Sequence, residues 1–225
     1  MSVVSAFLVP GSPLPRIQNS NPPWNAMARA LSVAGAALVS ASPDSIVVYS
    51  TQWIAVLDQL WQTKNRVAGR HVDENWHEFG ALEYDILVDA DLANACIEAS
   101  SSINVKSRAV NYDAFPIDTG TIIANSFLNE PRKPVVVTSN NVYHDLSVTE
   151  AIGELVAKSA REQSKKVAVV GVGGLSGAFF RQEIKPEEDR IFSEADDSAN
   201  REMLDLICSG NCEKAMAFVP EYNER

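Results

Sequence analysis

Ser45-Ile46-Val47-Val48-Tyr49-Ser50-Thr51-Gln52-Trp53 is the stretch that decides the fold. Ile46–Tyr49 is a continuous apolar run rather than an alternating one, as expected of a strand covered on both faces. It gives way to a polar Ser-Thr-Gln loop. The same event occurs at Val3–Val9, followed by Pro10-Gly11-Ser12-Pro13, and at Val167–Val172, followed by Gly173-Gly174-Leu175-Ser176-Gly177. Lys106–Val110 and Pro134–Thr138 complete a set of five β-rich runs. Between them lie helical patterns at Trp24–Ser40, Ala90–Ser100, Ser147–Gln163 and Ser198–Ser209, with apolar residues recurring on one side. Asp89 is placed to cap the second of these, Ser147 and Glu150 read as a capping box for the third, and Pro43 closes the first. Strands alternating with helices predict a single-domain three-layer α/β/α sandwich with a mainly parallel or mixed central sheet. Ligands of such sheets bind where strands end, so the three loops predict one shared crevice.

The bulk numbers narrow the function classes. The 225 residues suit one large domain, 46% hydrophobic and 21% charged. A net charge of -10 and a pI of about 4.8 argue against nucleic-acid or anionic-membrane binding, which need a basic surface. No apolar run is long enough to span a bilayer, and the start Met1-Ser2-Val3-Val4 lacks the basic region of a signal peptide. Cys96, Cys208 and Cys212 are too few and scattered for a disulfide framework, which points to the reducing cytoplasm.

Some local patterns invite chemistry that their spacing does not support. Gly171-Val172-Gly173-Gly174 follows a strand but lacks the third glycine and the acidic ribose partner of a dinucleotide fingerprint. Ser176 is not framed as a nucleophile elbow. Cys208 and Cys212 share a helix-like i, i+4 spacing without further ligands, so they read as half-buried packing rather than metal binding. Thr63–Tyr84, rich in charge and aromatics, breaks the rhythm and reads as an excursion over the sheet edge. Within it His71 and His77 stand six apart near Asp73, Glu74 and Glu78. A loop metal site can be drawn there, but hydrogen-bonded or interface roles suit the spacing better. His144, before Asp145, reads as a polar anchor beside the crevice or a loop-orienting residue. Trp53, Trp61, Trp76 and Phe79 read either as core under a long loop or, for Trp53 and Trp76 with His77 and His144, as interface or crevice residues.

The three loops, with Asp118-Thr119-Gly120-Thr121-Ile122 and Ser139-Asn140-Asn141, resemble the class III extradiol ring-cleaving dioxygenases, the protocatechuate 4,5-dioxygenase superfamily. The resemblance runs over nearly the whole chain. It implies an Fe(II) site of two histidines and a carboxylate, with a further histidine as acid/base. At the matching positions this sequence has Gly11 and Gln52 for the ligands and Gly177 for the acid/base. The family continues through a helix and a glycine-rich strand that carry the glutamate ligand, whereas this sequence stops at Arg225. The domain over 1–225 is therefore expected to lack that last helix and strand. The resemblance implies a non-catalytic subunit of a heteromeric enzyme acting on 2-aminophenol-type aromatics. Its partner is a homologous catalytic β subunit that holds the Fe(II), in an α2β2 assembly. The rival readings are a stand-alone protein that binds a small aromatic in the emptied crevice, and an active dioxygenase built on His71 and His77.

Overall fold

The computed structural model describes residues 2–112, 117–175 and 193–223. The chain forms two compact units, Met1–Gly173 and Gly174–Arg225.

The first unit is built on a six-stranded sheet. In chain order its elements are β1 (Val3–Pro10), α1 (Leu14–Ile17), α2 (Pro22–Ser40), β2 (Ser45–Ala55), β3 (Gln59–Gln62), β4 (Arg66–His71), β5 (Leu82–Leu87), α3 (Ala90–Ala99), β6 (Ser107–Val110), α4 (Thr119–Leu128), β7 (Val135–Asn141), α5 (Leu146–Glu162) and β8 (Val167–Gly173). The strand order is β1-β8-β2-β7-β3-β6. All neighbours are parallel except β3 and β7, so the sheet is mainly parallel with one reversed join, as the sequence predicts.

Side-chain alternation explains why the strand runs are apolar throughout. Ile46 and Val48 of β2 enter one core, with Val135 and Val137 of β7, Leu31 and Leu38 of α2, and Ile122, Ile123 and Leu128 of α4. Val47 and Val136, one residue out of phase, enter the core on the other face with Leu92 and Cys96 of α3 and Ile152, Leu155 and Val156 of α5. Each face thus needs its own apolar set, and three layers result. Burial pushes the Cys96 thiol up to about 11, which leaves it inert at neutral pH.

Asp89 caps α3 as the sequence predicts, its carboxylate accepting from the Leu92 N–H. The cap of α5 is a correction. Asp145, not Ser147, accepts from the Val148 N–H, and Ser147 Oγ donates to that same carboxylate. An ionised carboxylate is the stronger acceptor beside helix N–H groups, so it takes the position.

The Thr63–Tyr84 excursion holds β4 and the start of β5, which pair as a two-stranded antiparallel ribbon extending to Leu87. Val67, Leu82 and Ile86 of this ribbon join the α2–α4 core, so it covers that face of the sheet. Trp53 is buried in the same core, Trp61 is fully buried on the opposite face, and Trp76 and Phe79 stack on each other near the ribbon tip. The four aromatics do not form one cluster.

The second unit is a helical pair, α6 (Glu194–Cys208) and α7 (Cys212–Asn223). Ala199 and Met203 pack on Ala215 and Phe218. Ser193 caps α6, so this helix starts four residues before the Ser198 that the sequence pattern suggests is its first. Cys208 ends one helix and Cys212 begins the next, and both are exposed, which corrects the expectation of half-buried packing.

Candidate functional site

The parallel strands β1, β8 and β2 end side by side. Pro10 pairs with Gly173, and Ser50 with Val172. The loop expected after Tyr49 is instead an irregularity inside β2. Tyr49 pairs with Thr138 and Ile54 with Asn140, so residues 50–53 stand opposite Ser139 alone. Extra residues in a ladder bend the strand and re-aim its side chains. Here the bulge sends Gln52 across the sheet end toward β1.

The Gln52 amide is held at both ends by backbone. Its Nε2 donates to the Gly11 carbonyl at 3.2 Å, and its Oε1 accepts the Gly120 N–H at 2.6 Å. Both glycines leave space that this amide occupies. A Cβ on Gly11 would lie 2.7 Å from Gln52 Nε2, and one on Gly120 would lie 3.1 Å from Gln52 Oε1 and 2.9 Å from Ser50 Oγ. The first and second strand-end loops are therefore in contact, as the shared-crevice expectation requires. Gly177 lies outside the described residues.

Asp118-Thr119-Gly120-Thr121 supplies the fourth wall by starting α4 at this point. The Asp118 carboxylate accepts from the Thr121 N–H (2.9 Å), the Thr121 hydroxyl (2.7 Å) and the Ser50 hydroxyl (2.6 Å). Ser50 Oγ in turn accepts the Gln52 N–H at 3.2 Å. Thr119 faces the ribbon. Its hydroxyl donates to Asp73 Oδ2 at 2.6 Å, so the His71 Nε2 at 2.8 Å from the same oxygen is the donor there. His71 is thereby a hydrogen-bonded link between ribbon and helix. His77, mostly exposed, has Nδ1 3.4 Å from the Glu74 carbonyl and 3.8 Å from Glu78 Oε2. The two histidines share no ligand set, and among the described residues no group of three His, Cys, Asp or Glu is arranged to hold a metal.

His144 follows the end of β7. Its backbone N–H donates to the Asn141 carbonyl, while its Nδ1 is buried without a partner. Burial lowers its pKa, against the opposing pull of Asp145. Trp53 is packed in the core, while Trp76 is half-buried at the ribbon tip.

Ferrous iron requires imidazole nitrogens and a carboxylate with open positions between them. Where the resemblance puts two of those donors, Gly11 has no side chain and Gln52 presents an amide already bonded to two backbone groups. The nearby Asp118 carboxylate is spent on three internal donors. The described residues here do not fit the metal. Sequence reasoning named Gly11 and Gln52 but missed Ser50, Asp118 and Gly120 as the groups that hold Gln52, and Thr119 as the link to the ribbon. The available signal was an Asp-x-Gly-Thr run, which is helix-cap chemistry with a gap left for a close neighbour.

Residues 13–225 match the family described as "Catalytic LigB subunit of aromatic ring-opening dioxygenase". A 2-aminophenol 1,6-dioxygenase alpha subunit from a Pseudomonas species is 46% identical over 226 residues, covering 100% of this chain and 83% of that protein. The beta subunit of a 2-aminophenol 1,6-dioxygenase, also from a Pseudomonas species, is 25% identical over 243 residues, covering 99% of this chain and 79% of its own length. The 3,4-dihydroxyphenylacetate 2,3-dioxygenase of Escherichia coli is 21% identical over 183 residues, covering 80% and 66%. With its strand-end crevice, its Asp118-capped helix and a match over almost its full length, this chain belongs to the LigB family of aromatic ring-opening dioxygenase subunits.

Proposed function

We propose that this chain is the non-catalytic α subunit of a heteromeric extradiol dioxygenase that opens 2-aminophenol-type aromatic rings. A homologous β subunit holds the Fe(II) and the acid/base groups. The observation that carries the reading is the position of Gln52, whose amide is tied to Gly11 and Gly120 at the two strand ends for which the resemblance implies metal donors. The similarity to a named alpha subunit over the whole chain supports the same role. A fold kept without its donors retains a purpose if it stabilises a partner, and obligate interfaces bury on the order of 2,000 Å2 or more. A stand-alone aromatic-binding protein is less well supported, because the space that Gly11 leaves is already taken by the Gln52 side chain.

The test is co-expression with the homologous β chain, read by iron content, soluble yield and O2 uptake with 2-aminophenol. The expected result is activity only with both chains, and iron in proportion to β alone. Iron-dependent turnover by the isolated α chain, or a β chain equally soluble and active without it, overturns the reading.

A further inference from the structure

Two neighbouring turns at the crevice end of the sheet carry large apolar side chains with little protein around them. Leu57 is 86% exposed at the β2–β3 turn and Ile54 61% at the end of β2, and Tyr143 is 79% exposed at the β7–α5 turn, with Val56 and Val142 more than half exposed and Leu146, at the start of α5, at 37%. The turns are joined, because Ala55 pairs with Asn141 and the Val142 N–H donates to the Ala55 carbonyl at 3.0 Å. We propose that this uncharged patch is the docking surface for a catalytic subunit of the same fold, an inference that rests on the α-subunit reading above.

The exposure does not come from loosely held loops. Asn141 Oδ1 accepts the Tyr143 N–H at 3.0 Å, the His144 N–H returns to the Asn141 carbonyl, and Asp145 starts α5 directly afterwards. On the other turn, Asp58 is held by Arg108 at 2.9 Å and the Gln59 N–H bonds the Lys106 carbonyl. Side chains presented on backbone that is already ordered lose little entropy when a partner covers them. The six residues expose on the order of 600 Å2, the upper end of what a monomer's largest apolar patch shows. A standard interface takes roughly 800 Å2 from each partner, so the patch is large enough to form the centre of one. Tyr143 is, with Trp and Arg, one of the residue types enriched as anchors in such centres.

The chemistry narrows the occupant. An anionic membrane is disfavoured by the chain's net charge of -10 and by Asp58 and Asp145 beside the patch. The same charge, doubled, disfavours a second copy. A relative named as a beta subunit aligns with 99% of this chain at 25% identity, so a homologous subunit is the occupant that the comparisons offer.

The experiment uses the full chain with the homologous β chain, comparing wild type with Leu57→Glu and Tyr143→Glu by light-scattering chromatography and titration calorimetry. Leu57→Ser and Tyr143→Ser serve as milder substitutions, and melting of the isolated chain reports folding. The expected result is that each variant melts as wild type does but binds β about 30-fold or more weaker. Undiminished binding by well-folded variants overturns the surface while leaving the subunit reading intact. Failure of the wild-type chains to associate at all overturns both. A wild-type homodimer that the same substitutions dissociate makes a second copy the occupant and overturns the proposal.

Discussion

Gln52 and Gly11 occupy complementary space: the amide nitrogen of one stands 2.7 Å from where a β-carbon on the other would be. The obstructing atom is the far end of a flexible, partly exposed side chain, so a methyl group at position 11 displaces Gln52 rather than the backbone. The expected cost of Gly11→Ala is therefore the loss of the Gln52 hydrogen bonds, about 1 kcal/mol or somewhat more. Gln52→Ala should cost about the same, and the double variant little more than either. Urea unfolding of the four proteins in a double-mutant cycle checks this. Additive losses would show that the two residues act independently.

Gly35 presents the opposite case. A Cβ there would come within 2.3 Å of the Phe127 carbonyl oxygen, where α2 crosses α4. The obstruction is backbone and cannot swing aside. In an open helix Gly→Ala gains about 1 kcal/mol, whereas overpacking a tight core costs about 1–3 kcal/mol. Gly35→Ala is expected to be net destabilising, with a lower Tm. A Tm equal to or above that of wild type would mean the helices separate at no cost.

Thr119 joins the ribbon to α4 by relaying His71 to Asp73. Thr119→Val keeps the shape and removes both bonds, at an expected cost of about 1–2 kcal/mol. The diagnostic readout is hydrogen exchange at residues 72–81, which should quicken more than in the α3–α5 core. Unchanged protection of that segment would leave Thr119 with no part in holding the ribbon.

His144 gives a pH signature. Its folded pKa is lowered, mainly by burial, so the unfolded chain binds the proton more readily. Its contribution is complete above the unfolded value of about 6.5 and is lost as pH falls through the folded one. Asp145, whose carboxylate is held below its usual range first by the Val148 N–H and then by Ser147, loses its contribution only at lower pH still. NMR titration should place the His144 transition below that of a free histidine, and His144→Gln should flatten the stability profile just below neutrality. An identical profile in the variant would remove His144 as the cause.

The central strands β2, β7 and β8 were legible in the sequence because two-sided burial leaves a continuous apolar run, and the less buried edge strands β1 and β6 by their β-rich composition. β3 was not, since Gln59 and Gln62 are fully buried and polar, satisfied in part by Thr138 and by the Lys64 N–H. α4 was hidden for a related reason. Seven of its ten residues are buried, so it has no polar face to mark a helical period, and it opens on Thr-Gly-Thr. At the site, the positions of Gly11 and Gln52 were readable from strand-end patterns. The direction of the Gln52 side chain was not, because it depends on the bulge against β7, and pairing register is not written in one strand alone.

The bulge at residues 50–53 also bears on how such a chain can change over generations. A histidine placed at position 11 would meet the glutamine already there, and one placed at position 52 would give up the link between β1 and α4 while gaining no second ligand. Each change on its own is a loss before any benefit arrives. The space that the Gln52 amide fills thus admits neither change singly without a loss.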